Sequence, residues 1–139
     1  MNKLILWSLV CLPLRHLSLT SSYGYRIHPL TKKYSFHSGV DLRAHKDTVF
    51  AVLAGRVKSA GYDPFLGVNL RLTHGAFETS YGHLSQIFVL PGHSVTAGDA
   101  IGISGSTGRV TGEHLHFSVS FNHKPINPLI FLEQIINQK

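Results

Sequence analysis

Val68-Asn69-Leu70-Arg71-Leu72-Thr73-His74-Gly75-Ala76-Phe77-Glu78-Thr79-Ser80-Tyr81 decides the fold. Val68, Leu70 and Leu72 alternate with Asn69, Arg71 and Thr73, the period of a half-buried strand, and His74-Gly75 supplies a turn into a second strand over Phe77 to Tyr81. Outward from this hairpin the grammar repeats. Val49 to Leu53 and Gly55 to Ala60 are apolar runs bounded by glycine, while Pro91-Gly92 and Ala97-Gly98-Asp99 are turns around a short strand at Val95. Leu115, Phe117 and Val119 alternate with His114, His116, Ser118 and Ser120, so the last long strand carries histidines on one face. Asn127 as N-cap and Pro128 at the first helical position open a short helix running to about Asn137. The expected fold is mainly β: a single antiparallel, sandwich-like sheet domain with a short C-terminal helix.

The composition narrows the class. The chain of 139 residues is 43% hydrophobic and 14% charged, a balance that suits one packed core and excludes disorder driven by charge. A single cysteine, Cys11, excludes an internal disulfide scaffold. Thirteen Lys and Arg against seven Asp and Glu leave a net charge of +6, which suits an anionic partner; the charges are dispersed and not interleaved with aromatics, so a nucleic-acid platform is not expected. Met1-Asn2-Lys3 followed by Leu4 to Leu14 has the charged start and short apolar run of a secretory signal. Residues 1–19 are therefore expected to be a signal or anchor segment running into the first strand, the only membrane contact foreseen, with the functional domain over 20–139. Lipid attachment at Cys11 is disfavoured because Val10 stands where a small residue is usual.

Ten histidines are the outstanding feature. The chain lacks a G-x-S-x-G elbow, a phosphate-binding P-loop and an H-E-x-x-H helix. Two short clusters remain, His37-Ser38-Gly39-Val40-Asp41 and His114-Leu115-His116. On a strand, positions i and i+2 project from one face roughly 6–7 Å apart, so His114 and His116 lie side by side. His37 and Asp41 would stand about 13 Å apart on a straight strand, and reach a common ion only if the chain curves near Gly39. Two imidazoles and a carboxylate form a three-ligand set with an open position, the pattern of a catalytic zinc site. Such a site also needs a proton acceptor and an oxyanion donor outside the metal's shell, for which His114 and His83 are candidates.

At these residues the sequence resembles the lysostaphin-type or LytM-type zinc endopeptidases of bacterial cell walls, the M23 metallopeptidases. The matching pieces are Ser22-Tyr23-Gly24-Tyr25-Arg26-Ile27-His28-Pro29, then His37-Ser38-Gly39-Val40-Asp41, then Tyr81-Gly82-His83-Leu84-Ser85. Gly102 through Gly105-Ser106-Thr107-Gly108 and Thr111-Gly112-Glu113-His114-Leu115-His116-Phe117 follow in order. The resemblance implies an antiparallel β structure with an active-site groove over 20–139, one Zn²⁺ per chain held by His37, Asp41 and His116, and His83 and His114 as catalytic residues that do not bind the metal. It implies hydrolysis of amide bonds in peptidoglycan stem peptides or cross-bridges by a protein exported to the cell envelope, periplasm or exterior. One of His83 and His114 would take a proton from water and the other would stabilise the oxyanion, with the roles open between them. Tyr81 is a candidate for a hydrogen bond to the oxyanion or for core packing, and Arg26 for a substrate carboxylate or a surface ion pair. His16, His28, His45, His74, His93 and His123 receive no role.

Two alternatives belong to other classes. A catalytically silent wall-binding or activator domain would share the fold; here every matched position is kept. A biotinyl or lipoyl carrier is suggested by Val95 to Gly102, but such carriers need a lysine at an exposed hairpin tip, commonly between methionines, and the one methionine is Met1.

Overall fold

The computed structural model describes residues 10–110 and 112–137. Among these described residues twelve strands and one helix follow in order: β1 Leu19–Ser21, β2 Gly24–Ile27, β3 Tyr34–His37, β4 Val40–Arg43, β5 Thr48–Phe50, β6 Gly55–Asp63, β7 Gly67–His74, β8 Phe77–Ile87, β9 Ser94–Val95, β10 Ala100–Ser104, β11 His114–Phe121, β12 Lys124–Ile126 and α1 Pro128–Ile136. The main sheet runs β1-β4-β11-β8-β7-β6-β9, with β10 against β5 and β8, and β12 against β11; β2 and β3 form a separate hairpin. Every pairing among these strands is antiparallel. No helix among the described residues is long and apolar enough to cross a membrane.

The quoted hairpin is β7–β8, closed through Gly75 at φ 78° with His74 opposite Phe77. Its alternation fills the core: Leu70 and Leu72 are buried and Arg71 is exposed. Asn69 departs from the alternation. It is buried because its amide donates to the Asp63 carboxylate at 3.2 Å and to the Gly67 carbonyl at 2.9 Å, which removes the cost of hiding a polar group. On β11, Leu115, Phe117 and Val119 join Tyr81, Leu42 and Val40 in the core, leaving His114 and His116 on the opposite face. Helix α1 is capped as its sequence implies, with the Asn127 side chain accepting from the Leu129 and Ile130 amides, and it buries Phe131 and Leu132.

Strand β8 runs well past Tyr81 and serves two neighbourhoods. Phe77 to Gly82 pair with β11, while Leu84 to Ile87 pair with β10. Between Val68↔Leu84 and Leu70↔Tyr81 the β8 side holds one residue more than the β7 side, a bulge that bends the strand. The bulge carries His83. At the start of the described chain Val10 bridges Leu53, the Cys11 amide donates to the Val52 carbonyl, and Leu14 is buried in the core. Residues 1–9, which hold most of the apolar N-terminal run, lie outside the described residues.

Candidate active site

Three side chains from three strands converge. The β2–β3 hairpin delivers His37 at its last residue, and β4 begins after two intervening residues; in it Asp41 stands directly opposite His116 of β11. His37 Nε2 lies 3.3 Å from His116 Nδ1 and 3.4 Å from Asp41 Oδ1, and His116 Nδ1 lies 3.2 Å from the same oxygen. All three side chains are buried. Gly39 permits this approach by its lack of a side chain rather than by unusual backbone angles: a Cβ there would fall 2.6 Å from the Phe117 carbonyl oxygen and 2.8 Å from His116 Nε2.

The chemistry of this triangle calls for a cation. His37 Nδ1 donates to the Ser22 carbonyl at 2.9 Å, an oxygen that can only accept, so its proton is fixed there and Nε2 presents a lone pair. Burial alone would raise the Asp41 carboxyl, but the imidazoles of His116, His37 and His114 around it outweigh burial and hold the group well below the usual carboxylate range, hence ionised. Lone pairs thus face one another at 3.4 Å. A tetrahedral zinc ion with bonds of about 2.0–2.1 Å sets its ligand atoms about 3.3–3.4 Å apart. The observed edges match one face of that tetrahedron.

Two further histidines border the triangle. His83 adopts φ 61°, a strained conformation for a residue with a side chain, and its amide donates to the Leu66 carbonyl at 2.6 Å. Its Nδ1 donates to the Thr107 carbonyl at 2.7 Å, and Thr107 is itself pinned: its hydroxyl donates to the Leu84 carbonyl and accepts from the Val68 amide. Gly67, at φ 63°, allows the Thr107 backbone to approach to where a Cβ would be 2.3 Å away. The His83 and His114 rings meet edge to face with centroids 4.7 Å apart. His114 Nδ1 donates to the Gly112 carbonyl at 3.0 Å, and its Nε2 lies 3.4 Å from Asp41 Oδ1. Burial first, then the neighbouring imidazoles His114 and His116, lowers His83 from 6.5 to about 4. Burial likewise lowers His114, against the opposing pull of Asp41. Each ring therefore carries its proton on Nδ1 and keeps Nε2 free.

These five residues line one cleft of about 630 Å³, which Arg26, His28 and Arg109 also line. A second trough of about 540 Å³ adjoins it through Ser38, Leu66 and His116 and runs past Ser80 and Ser118, so the groove continues on both sides of the triangle. Tyr81 is not part of it. The Tyr81 ring is fully buried, and its hydroxyl sits 3.0 Å from Thr79 Oγ1 and accepts from the Val52 amide; the core, not an oxyanion, receives it. His74 belongs to the same internal chain, bonded to the Ala54 carbonyl and to Thr79. Sequence reasoning missed Ser22 and Thr107 as the groups that orient His37 and His83, since both act through backbone carbonyls and leave no trace in residue type.

The antiparallel β fold thus places two histidines and an aspartate in a metal-sized triangle, with two further imidazoles beside it. Residues 35–128 match the model of Peptidase family M23, and the chain belongs to that family. It is 37% identical over 119 residues to the DD-carboxypeptidase/endopeptidase Mpg of Neisseria meningitidis, covering 84% of this chain and 27% of that protein. It is 39% identical over 106 residues to the peptidoglycan DD-endopeptidase ShyA of Vibrio cholerae, covering 75% of this chain and 25% of that one. The chain thus spans about a quarter of the length of these two relatives. Among solved structures it resembles a zinc-containing peptidase from Vibrio cholerae with a TM-score of 0.74 and 33% identity, over 86% of this chain and 37% of the other.

Proposed function

We propose that this chain is a zinc-dependent endopeptidase that hydrolyses amide bonds in the peptide part of peptidoglycan. The observation that carries the reading is the triangle of His37 Nε2, Asp41 Oδ1 and His116 Nδ1, with edges of 3.2–3.4 Å. These three residues would hold one Zn²⁺, which supplies a polarised carbonyl and water made acidic near neutral pH. His83 and His114 are the catalytic pair. Both present an unprotonated Nε2 to the cleft because the carbonyls of Thr107 and Gly112 hold their Nδ1 protons. One ring accepts the proton of the attacking water at its free Nε2, and the other stabilises the oxyanion of the tetrahedral intermediate once its own Nε2 has taken up a proton. Their low proton affinity keeps them neutral and ready to accept in the working range. The backbone strain at His83 fits this role, since it turns the ring toward the cleft instead of along the strand.

Similarity to ShyA, named for its action on peptidoglycan, supports the substrate class and a place of action in the cell envelope, periplasmic or extracellular after export. In this reading the chemistry resides in 20–139, and residues 1–19 form the signal or anchor segment whose end packs on the domain through Leu14. Purified peptidoglycan incubated with the metal-loaded protein should release peptide fragments detectable by mass spectrometry. A chelator should stop the release and added zinc should restore it. Wall binding without release at full zinc loading would favour the silent activator instead.

A further inference from the structure

We propose that Arg26, with Arg109, forms a carboxylate-binding subsite, so that the preferred substrate carries a free carboxylate on the residue flanking the scissile amide; this rests on the endopeptidase reading above. Both arginines line the same cleft as the histidines and Asp41. Among the described residues neither has a carboxylate within salt-bridge distance, and the one acid lining the cleft, Asp41, is already engaged by His37, His114 and His116. The Arg26 Nε is shut off from solvent yet has no hydrogen-bond partner. A buried guanidinium N–H left unsatisfied is costly, and a planar carboxylate is the group that its fork satisfies best. Arg109 is seated over the Phe65 ring with its guanidinium carbon 5.1 Å from the centroid. His28 adds a third donor: its Nδ1 accepts the Leu30 and Thr31 amides, so the proton sits on Nε2.

Spacing places Arg26 next to the triangle. In the β2–β3 hairpin Gly24 pairs with His37 and Arg26 with Ser35, so Arg26 stands two residues along the strand from the His37 pair. Two strand residues span roughly 6–7 Å, so Arg26 stands beside the triangle and lines the cleft next to it. A neutral glycyl-glycine bridge would leave this subsite empty. A cross-link whose acceptor residue keeps its own α-carboxylate would fill it.

The test uses two synthetic stem-peptide dimers joined by a D-alanyl amide, alike except that the carboxyl flanking this amide is free in one and amidated in the other. The zinc-loaded parent should prefer the free carboxylate by roughly 10- to 100-fold in kcat/KM, the worth of a charge-assisted hydrogen bond. Arg26→Gln should bring that ratio close to unity, through KM more than kcat, while Arg26→Lys retains an intermediate preference. Zinc content and urea midpoint identify any variant that has lost its fold, and Arg109→Gln, expected to reduce the preference, then carries the test with the parent. Equal cleavage of both substrates by the parent, or a parent-like preference in folded Arg26→Gln, overturns the subsite. Failure of the zinc-loaded parent on both substrates and on peptidoglycan would remove the endopeptidase reading itself, and the subsite with it.

Discussion

Gly39 and His116 touch so closely that a single carbon added to the glycine would lie 2.8 Å from His116 Nε2. The ring is wedged between this bare backbone on one side and Asp41 on the other, which fixes its Nδ1 toward His37. Gly39→Ala must therefore push the imidazole or β11 aside, at an overpacking cost of about 1–3 kcal/mol. The variant should fold with reduced stability and retain less zinc than the parent after dialysis, as measured by elemental analysis. Parent-like zinc retention would show that the ring has freedom to give way.

Ligand and catalytic roles separate by metal content. His37→Ala removes one corner of the triangle and should lower zinc occupancy and turnover together. His83→Ala touches no corner; it should keep zinc and lose about 10²–10³ in kcat. Turnover of His83→Ala at the parent rate would exclude His83 from the proton chemistry.

Tyr81→Phe deletes a hydroxyl that serves Thr79 and Val52 inside the core. Loss of these bonds should destabilise the protein by about 1–3 kcal/mol in urea unfolding, with peptide release per bound zinc within about threefold of the parent. A loss as large as that of His83→Ala would place the hydroxyl in the chemistry after all.

His74 gives the fold a sensitivity to acid away from the cleft. Burial lowers its proton affinity below the ordinary 6.5, outweighing the Ala54 hydrogen bond and Glu78. Below 6.5 the unfolded chain then binds a proton that the folded chain resists, so this group's stabilisation is complete above that pH and lost as the pH falls. The urea midpoint of the parent should drop between about pH 7 and about pH 5, and His74→Gln should show a shallower drop. Identical slopes would mean that the ring is protonated in place without cost.

Much of the fold was legible locally. The β7–β8 hairpin, the β11 alternation and the Asn127–Pro128 start of α1 are written in residue periods and turn types. The β2–β3 hairpin was not: its residues alternate, but the apolar set Tyr25, Ile27, Tyr34 and Phe36 lies exposed while Arg26, Ser35 and His37 line the cleft, the reverse of a core-facing strand. The far half of β8 escaped for a different reason: the bulge at His83 breaks the period there.

By itself the sequence determined which donor types were present and that His114 and His116 share a face, since a strand's period of two is a local property. It also brought His37 and Asp41 within four residues of each other. Only the tertiary structure decided which member of the histidine pair closes the triangle. The β4–β11 register sets His116 opposite Asp41 and His114 opposite Arg43, and that register is fixed by burying Leu42, Leu115 and Phe117 in a common core. Long-range packing, which no stretch of residues encodes alone, thus brings His116 rather than His114 into the triangle.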